Sequence, residues 1–267
     1  MKRDFSRQSF LPADSEDTLA SIKVGIVGLC GGGSHIEQQL AHIGLLNYVV
    51  IDPDRLDASN LNRRVGSTQV DVTRKLLKTE ISKRVIQCVN PHANVECIPD
   101  KWQNGQLSLR DCAVIFGCVD SYSEREQLER FCRRFLIHYI DIGMDVKKYE
   151  DSHGIVGQIV MSSPGWCCLR CMGIITDENL KQEAQLYGTA GPKPQVVWPN
   201  GVLASTAVGL FMQLVSPWHK LSTGVAYLEY NGNRSTVKES PRLEHAILLQ
   251  CEHFSTEDLG DPLFSLD

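Results

Sequence analysis

The apolar run Lys23-Val24-Gly25-Ile26-Val27-Gly28 ends in glycine and opens into Cys30-Gly31-Gly32-Gly33-Ser34. A short apolar run bounded by glycine reads as a buried strand. Ile36, Leu40 and Ile43 then fall on one helical face, Gly44 stops the helix, and Tyr48-Val49-Val50-Ile51 makes a second buried strand closing on Asp52. Strand, glycine turn, helix and strand in that order restrict the chain to a parallel sheet covered by helices. The turn also brings backbone N–H groups to a helix N-terminus, where phosphate is favoured. Asp52 lies nineteen residues past Gly33, a place from which a carboxylate can hydrogen-bond a ribose hydroxyl. Gly28, Gly31, Gly33 and Asp52 are therefore candidate nucleotide-binding residues. The loop alone does not say which nucleotide. A dinucleotide loop wants glycine at position 30, which is Cys30, and no Gly-Lys-Ser/Thr of a phosphate-binding loop follows.

The alternation continues beyond Asp52. A long helix is expected over about residues 73–89, halted by Asn90-Pro91, then strands at 93–98 and 113–118. Residues 121–135 read as a helix with Leu128, Phe131 and Phe135 in register, and 135–142 as a further strand. After Gly143 the pattern changes to a strand at 156–161, a cysteine-bearing turn at 165–173 and a polar crossover at 177–199 containing Gly188, Gly191, Pro192 and Pro194. An apolar helix at 201–215 follows, then a hairpin of 225–230 and 235–237 joined by Asn231-Gly232-Asn233. The expected class is α/β, a Rossmann-like, doubly wound, mostly parallel sheet with an antiparallel C-terminal extension. The expected organisation is an N-terminal arm (1–21), one domain (22–254, its nucleotide-binding part 22–145 and its crossover and C-terminal part 146–254) and an acidic tail (255–267).

At 267 residues the length suits one such domain, and the net charge of −5 argues against a nucleic-acid partner. Arg133-Arg134 and Lys147-Lys148 read as solvated faces. No apolar run approaches the length of a spanning helix and Met1 to Asp17 is polar, so no membrane association and a cytoplasmic location are expected. Cys112, Cys118 and Cys132 sit singly in apolar stretches as small hydrophobes; only Cys167, Cys168, Cys171 and Cys251 invite a chemical reading.

The stretch Ile51-Asp52-Pro53-Asp54-Arg55-Leu56-Asp57-Ala58-Ser59-Asn60-Leu61-Asn62-Arg63-Arg64 resembles the Asp-x-Asp and Ser-Asn-Leu-x-Arg signature of the ThiF/MoeB/HesA and ubiquitin-activating-enzyme family. Further matches follow the family's order over residues 5–253. Phe5-Ser6-Arg7-Gln8 resembles its Tyr-Ser-Arg-Gln, Lys78 stands twelve residues before Asn90-Pro91, and Cys118-Val119-Asp120 resembles its Cys-Thr-Asp. The loop departs from the family only in Cys30, which reads as a tolerated small side chain. The resemblance implies an adenylyltransferase that joins the C-terminal glycine carboxylate of a ubiquitin-like or sulfur-carrier protein to AMP from ATP. It implies Arg63 and Lys78 on the phosphates, Asn60 and Asp54 in polar contacts around them, Asp52 on the ribose and Asp120 steering Mg²⁺. Arg7 would be an arginine finger reaching across a homodimer. Such chemistry needs positioned cations and a metal rather than a covalent enzyme group. Lys75 is the alternative to Lys78, because this segment is about two residues longer than the family's. Simpler roles exist for each residue alone: Asn60 as a turn cap, Arg63-Arg64 as a surface pair, Asp120 as the cap of the next helix.

Cys168-Leu169-Arg170-Cys171 has zinc-knuckle spacing but supplies only half a tetrahedral site. By the resemblance a second pair lies near the C-terminus, where Cys251-Glu252-His253 stands, so Cys168, Cys171, Cys251 and His253 are the expected structural Zn²⁺ ligands. No cysteine lies between Cys171 and Cys251, where relatives that form a thioester carry one, so adenylation without an own thioester is expected. Residues 194–201 could line the channel for the partner's tail or form a rigid helix entry. Two alternatives to a carrier-protein substrate are a tRNA or small-molecule carboxylate, as in a threonylcarbamoyl-adenosine dehydratase, and a non-catalytic scaffold subunit. The acidic charge weighs against the tRNA, and the presence of Arg63, Lys78 and Asp120 against the scaffold.

Overall fold

The computed structural model describes residues 4–186, 194–221, 224–248, 251–254 and 260. A single 3-10 turn (Ser6–Gln8) precedes α1 (Ser15–Ser21), β1 (Lys23–Val27), α2 (Gly31–Ile43) and β2 (Asn47–Ile51). Then come α3 (Gln69–Thr73), α4 (Lys78–Val89), β3 (Asn94–Ile98), α5 (Gln106–Leu109), β4 (Val114–Gly117) and α6 (Tyr122–Arg134). The rest is β5 (His138–Lys148), β6 (His153–Ser162), α7 (Asp177–Leu186), α8 (Val197–Val215), β7 (Ala226–Asn231), β8 (Thr236–Glu239) and α9 (Pro241–Leu248).

Among the described residues the strands form one eight-stranded sheet in the order β3-β2-β1-β4-β5-β6-β7-β8. The first five are parallel, and β6, β7 and β8 run antiparallel to their neighbours. This is the mixed α/β class the sequence predicts. Strand order reverses between β1 and β4, so a crevice opens at their carboxyl ends, where doubly wound folds bind ligands. One face is covered by α1, α2 and α8, with Leu19, Leu40 and Phe211 buried against Phe116 and Ile140. The other is covered by α6, α9 and the turn at 167–175, with Leu128, Leu169 and Leu243 against Tyr139 and Val160.

The strand expected at 135–142 is β5, which runs on through Gly143 to Lys148, and two helix boundaries also differ from expectation. The single helix at 73–89 is instead α3 and α4, separated by a reversal at Lys75, whose φ is 50°. Thr68 and Asp71 cap α3 reciprocally, and Arg84 of α4 closes on Asp71 at 2.7 Å, so α3 is a self-contained turn. Residues 76–78 then run extended beside 54–56: Leu56 N–H donates to Leu76 O at 2.8 Å and Lys78 N–H to Asp54 O at 3.0 Å. The helix expected at 201–215 starts at Val197, because Pro199 falls in its first turn, where a missing N–H costs nothing. In the crossover, Gly188, Gly191 and Pro192 lie outside the described residues, as does all of the expected acidic tail but Gly260.

Candidate functional site

Gly28 ends β1 with φ +89°, and a side chain there would collide with the Cys118 carbonyl at the end of β4. The bare backbone lets the two strand ends meet under the crevice. Gly31 and Gly33 lie in the first turn of α2, and a Cβ on Gly31 would stand 2.5 Å from Asn200 Nδ2 at the start of α8. Asp52 ends β2 and is 5% exposed. Its carboxylate accepts Leu29 N–H at 2.8 Å and Asp54 N–H at 2.9 Å, tying the glycine loop to the turn that follows β2.

Lys78, the first residue of α4, projects into this corner. Its Nζ is 3.2 Å from Asp52 Oδ1 and 2.7 Å from Asp54 Oδ2. Burial opposes protonation of Lys78, but the two carboxylates outweigh it and raise its pKa. The reversal at Lys75 aims Lys78 inward and leaves exposed Lys75 on the outer turn. Asn60 is buried and caps its own turn, its Oδ1 accepting Asp57 N–H at 3.1 Å. Arg63 is half-buried beside it; Nη1 donates to Ser59 O at 2.7 Å, while Nε is buried without a hydrogen-bond partner. Arg64, in contrast to a surface pair, is 2% exposed and ion-paired to Glu37 of α2 at 3.4 Å. Asp120 follows β4, exposed, and does not cap α6; Ser121 does, its Oγ accepting Glu124 N–H.

Cys30, Gly31, Asp54, Asn60, Arg63, Lys78 and Asp120 all border one pocket of about 160 Å³. It adjoins a cleft of about 950 Å³ walled by Gly28, Asp52 and residues 100–104, which suits a nucleoside. Arg7 is not in it. Phe5 lies against Gly44, at the end of α2 far from the glycine loop, so Arg7 is about 20 Å of helix away.

Arg125 from α6 borders the pocket and was not anticipated; Gln195 before α8 and Asn200 within it border it too, and belong to the 194–201 segment read as either a channel lining or a helix entry. Gln195 Nε2 donates to Asp120 Oδ1 at 3.0 Å, and Asn62 Nδ2 to Gln195 O at 2.9 Å, so the end of the crossover is stitched over the pocket. Glu183 of α7 accepts Tyr122 N–H at 2.9 Å and Ser123 N–H at 3.0 Å. The only sequence signal for Arg125 and Glu183 was position beside recognised motifs.

Toward the C-terminal end of α6 the four expected zinc ligands come together. The donor atoms of Cys168, Cys171, Cys251 and His253 lie within 4.8 Å of one another. The two sulfurs of the Cys168–Cys171 turn are 3.5 Å apart, and His253 Nδ1 is 3.5 and 3.4 Å from them. Ligands about 2.0–2.3 Å from a tetrahedral zinc stand roughly 3.4–3.8 Å apart, so the donor set fits that ion. Arg133 is buried, not on a solvated face: it donates to the Trp166 and Cys167 carbonyls, both at 3.0 Å, and Glu129 accepts Leu169 N–H at 3.0 Å. Helix α6 thus clamps the cysteine turn.

A glycine loop at the switch point, with an acidic residue ending β2 and cations gathered over it, defines a nucleotide-binding α/β protein. The family description "ThiF family" matches residues 2–247, and the chain belongs to that family. The molybdopterin-synthase adenylyltransferase of Haemophilus influenzae is 31% identical over 141 residues, covering 51% of this chain and 57% of that protein. The sulfur carrier protein ThiS adenylyltransferase of Escherichia coli is 25% identical, covering 80% of this chain and 84% of that protein. The tRNA threonylcarbamoyladenosine dehydratase of H. influenzae is 27% identical, over 49% of this chain and 50% of that protein. The matched region is thus little more than half of the first of these relatives. Among solved structures, E. coli MccB with ATP shares the fold at a TM-score of 0.68 and 20% identity, over 85% of this chain and 65% of that one. PaaA does so at 0.68 and 19%, over 88% and 80%. No described helix is long and apolar enough to cross a membrane.

Proposed function

We propose that this chain is an ATP-dependent adenylyltransferase that activates the C-terminal glycine carboxylate of a ubiquitin-like or sulfur-carrier protein as its acyl-adenylate. The observation that carries the proposal is the meeting of Arg63, Lys78 and Asp120 over the glycine loop, with Asp52 lining the adjoining cleft, where it would take the ribose. A carboxylate oxygen of the carrier attacks the α-phosphorus of ATP, the bond to the bridging oxygen breaks, and pyrophosphate leaves with the electron pair. Lys78 and Arg63 sit where negative charge builds on the phosphates, and exchanging the Asp52 and Asp54 contacts of Lys78 for phosphate preserves its charge balance. Asp120, exposed at the pocket, and Asp54, with its side chain 65% exposed, are donors suited to a hard cation that also binds phosphate. Mg²⁺ held at Asp120 would neutralise charge on the reacting phosphate and on leaving pyrophosphate.

Arg7 of the 1–21 arm lies too far from its own pocket, which supports its acting on the second copy in a homodimer. Cys168, Cys171, Cys251 and His253 hold a structural zinc, remote from the chemistry. No cysteine lies between Cys171 and Cys251, which supports release of the adenylate to a downstream thiol or sulfur donor instead of a thioester formed here. The absence of a membrane-spanning helix among the described residues is compatible with a cytoplasmic enzyme.

ATP–pyrophosphate exchange, with and without carriers ending in Gly-Gly, tests the assignment. Carrier-dependent exchange is expected, with a loss of at least about a hundredfold in Arg63→Ala and Asp120→Ala. Exchange retained in Asp120→Ala would refute the site. ATP binding with no exchange on any carrier would redirect the search to a tRNA or small-molecule carboxylate, and no ATP binding would favour a scaffold subunit.

A further inference from the structure

Arg125 has no part in the chemistry above, yet it borders the same pocket as Asp120 and Lys78 and is only 6% exposed. Its guanidinium is spoken for on each arm. Nε donates to the Val119 carbonyl at 3.1 Å, Nη1 to Asp141 Oδ2 at 3.0 Å and Nη2 to Ile142 O at 3.4 Å. Asp141, fully buried on β5, is held in turn by the Tyr139 hydroxyl at 3.0 Å. A Cβ on Gly143 would stand 2.6 Å from Nη2 and 2.7 Å from Nη1, so this glycine of β5 makes the room the guanidinium occupies.

The Val119 carbonyl belongs to the same rigid peptide plane as the nitrogen and Cα of Asp120. Fixing that oxygen fixes where the Asp120 nitrogen and Cα sit, the base from which its side chain departs. On the other side Glu183 holds the first N–H groups of α6, and one residue earlier Cys118 N–H donates to Val27 O at 2.8 Å. Between these anchors, the orientation of the Val119–Asp120 peptide is set by Arg125.

We propose that Arg125 is a positioning residue for the reaction: through the Val119 carbonyl it holds the Asp120 carboxylate toward the nucleotide phosphates, while Asp141 and Tyr139 fix the guanidinium that does so. This rests on the adenylation reading. A planar, permanently charged fork suits the task, because it makes several directed bonds at once where an ammonium is a point charge. An ion pair kept only for stability would be a poor use of two buried charges, since well-packed apolar pairs often serve as well.

Two variants test this. Arg125→Lys keeps the charge and loses the fork. Arg125→Gln made together with Asp141→Asn removes both charges, leaving no lone buried carboxylate. Calorimetry measures ATP affinity with and without Mg²⁺, thermal unfolding confirms that each variant is folded, and pyrophosphate exchange is followed in parallel. ATP affinity without metal is expected within about threefold of the unsubstituted protein, while the gain on adding Mg²⁺ shrinks by about tenfold, as it does in Asp120→Asn. Adding either Arg125 change to Asp120→Asn should shrink it no further, because both act through one carboxylate. Folded Arg125 variants that keep the full Mg²⁺ gain, or losses that multiply in the combined variants, overturn the proposal. If the unsubstituted protein shows neither Mg²⁺-dependent ATP binding nor exchange, the adenylation reading itself falls.

Discussion

Lys78 and Glu37 show two fates of a charge held near the glycine loop. Lys78 is buried between the carboxylates of Asp52 and Asp54, which raise its pKa and keep it charged. Glu37 is fully buried on α2, and burial pushes its pKa up to about 7, with Arg64 and Ser82 opposing the shift and Asp52 adding to it. Between about pH 4.5 and 7 the folded protein keeps a proton that the unfolded chain has lost. The contribution of Glu37 to stability therefore falls as pH rises through that window and is flat above it. Glu37→Gln should remove this slope, so that denaturant midpoints of the variant gain on those of the parent from about pH 5 to about pH 8. A difference that does not change with pH would refute the assignment. Arg63, Lys78 and Asp120 were picked out in the sequence by the resemblance of their motifs to the family's, and the structure brings them to one pocket. Arg64, Arg125 and Arg133 were not so marked. Each looks like a surface arginine in one dimension, and each is buried by a carboxylate on packed structure: Glu37, Asp141 and Glu129. Two of these partners come from other elements, and the third, one turn away on α6, is marked as buried only by the cysteine turn it also holds.

At the scale of elements, apolar runs and glycine stops identified the strands and α2, since a buried parallel strand has few other readings. The break between α3 and α4 was missed because residues 69–89 keep helical composition; a backbone reversal at Lys75 and pairing of 76–78 with 54–56 prevail over propensity. That reversal selects Lys78 over Lys75. The cysteine turn is a second case in which one element disciplines another. Glu129 and Arg133 of α6 hold its backbone, and the 251–254 segment after α9 completes the ligand set. The purified protein should contain about one zinc per chain, and Cys171→Ser should lose it with a lower thermal midpoint while ATP affinity stays unchanged. Protein free of zinc with an unaltered midpoint would remove the metal from the description. An ATP affinity that fell with the zinc would mean that the turn reaches further into the site than its place near the C-terminal end of α6 suggests.

At the scale of the whole molecule, the separation of Arg7 from its own pocket leads to a mixing experiment. With the chain paired as proposed, the Arg7→Ala and Asp120→Ala proteins should each be inactive in exchange. Equal mixing with subunit exchange should restore about a quarter of the original activity, since half the dimers are mixed and each holds one intact site. No recovery, with mixed dimers verified by mass, would mean that Arg7 serves no partner.

The helix α8 closes this molecule late. It carries no charged residue, and its Leu203, Ala207 and Phe211 cover the face formed by α2, β5 and β6. Asn200, which fills the space over Gly31, is made 169 residues after it. During synthesis the half bearing the glycine loop therefore emerges with this side of its sheet covered by α1 and α2 but not yet by α8. Phe116 and Leu40 must wait for residues 197–215 to clear the ribosome before water is excluded from them. The groups proposed to grip nucleotide all precede residue 121, whereas Gln195 and Asn200, which border the same pocket, come from the second half of the chain. Chaperone demand, and the harm done by a premature stop, should therefore be greatest in the interval before α8 emerges.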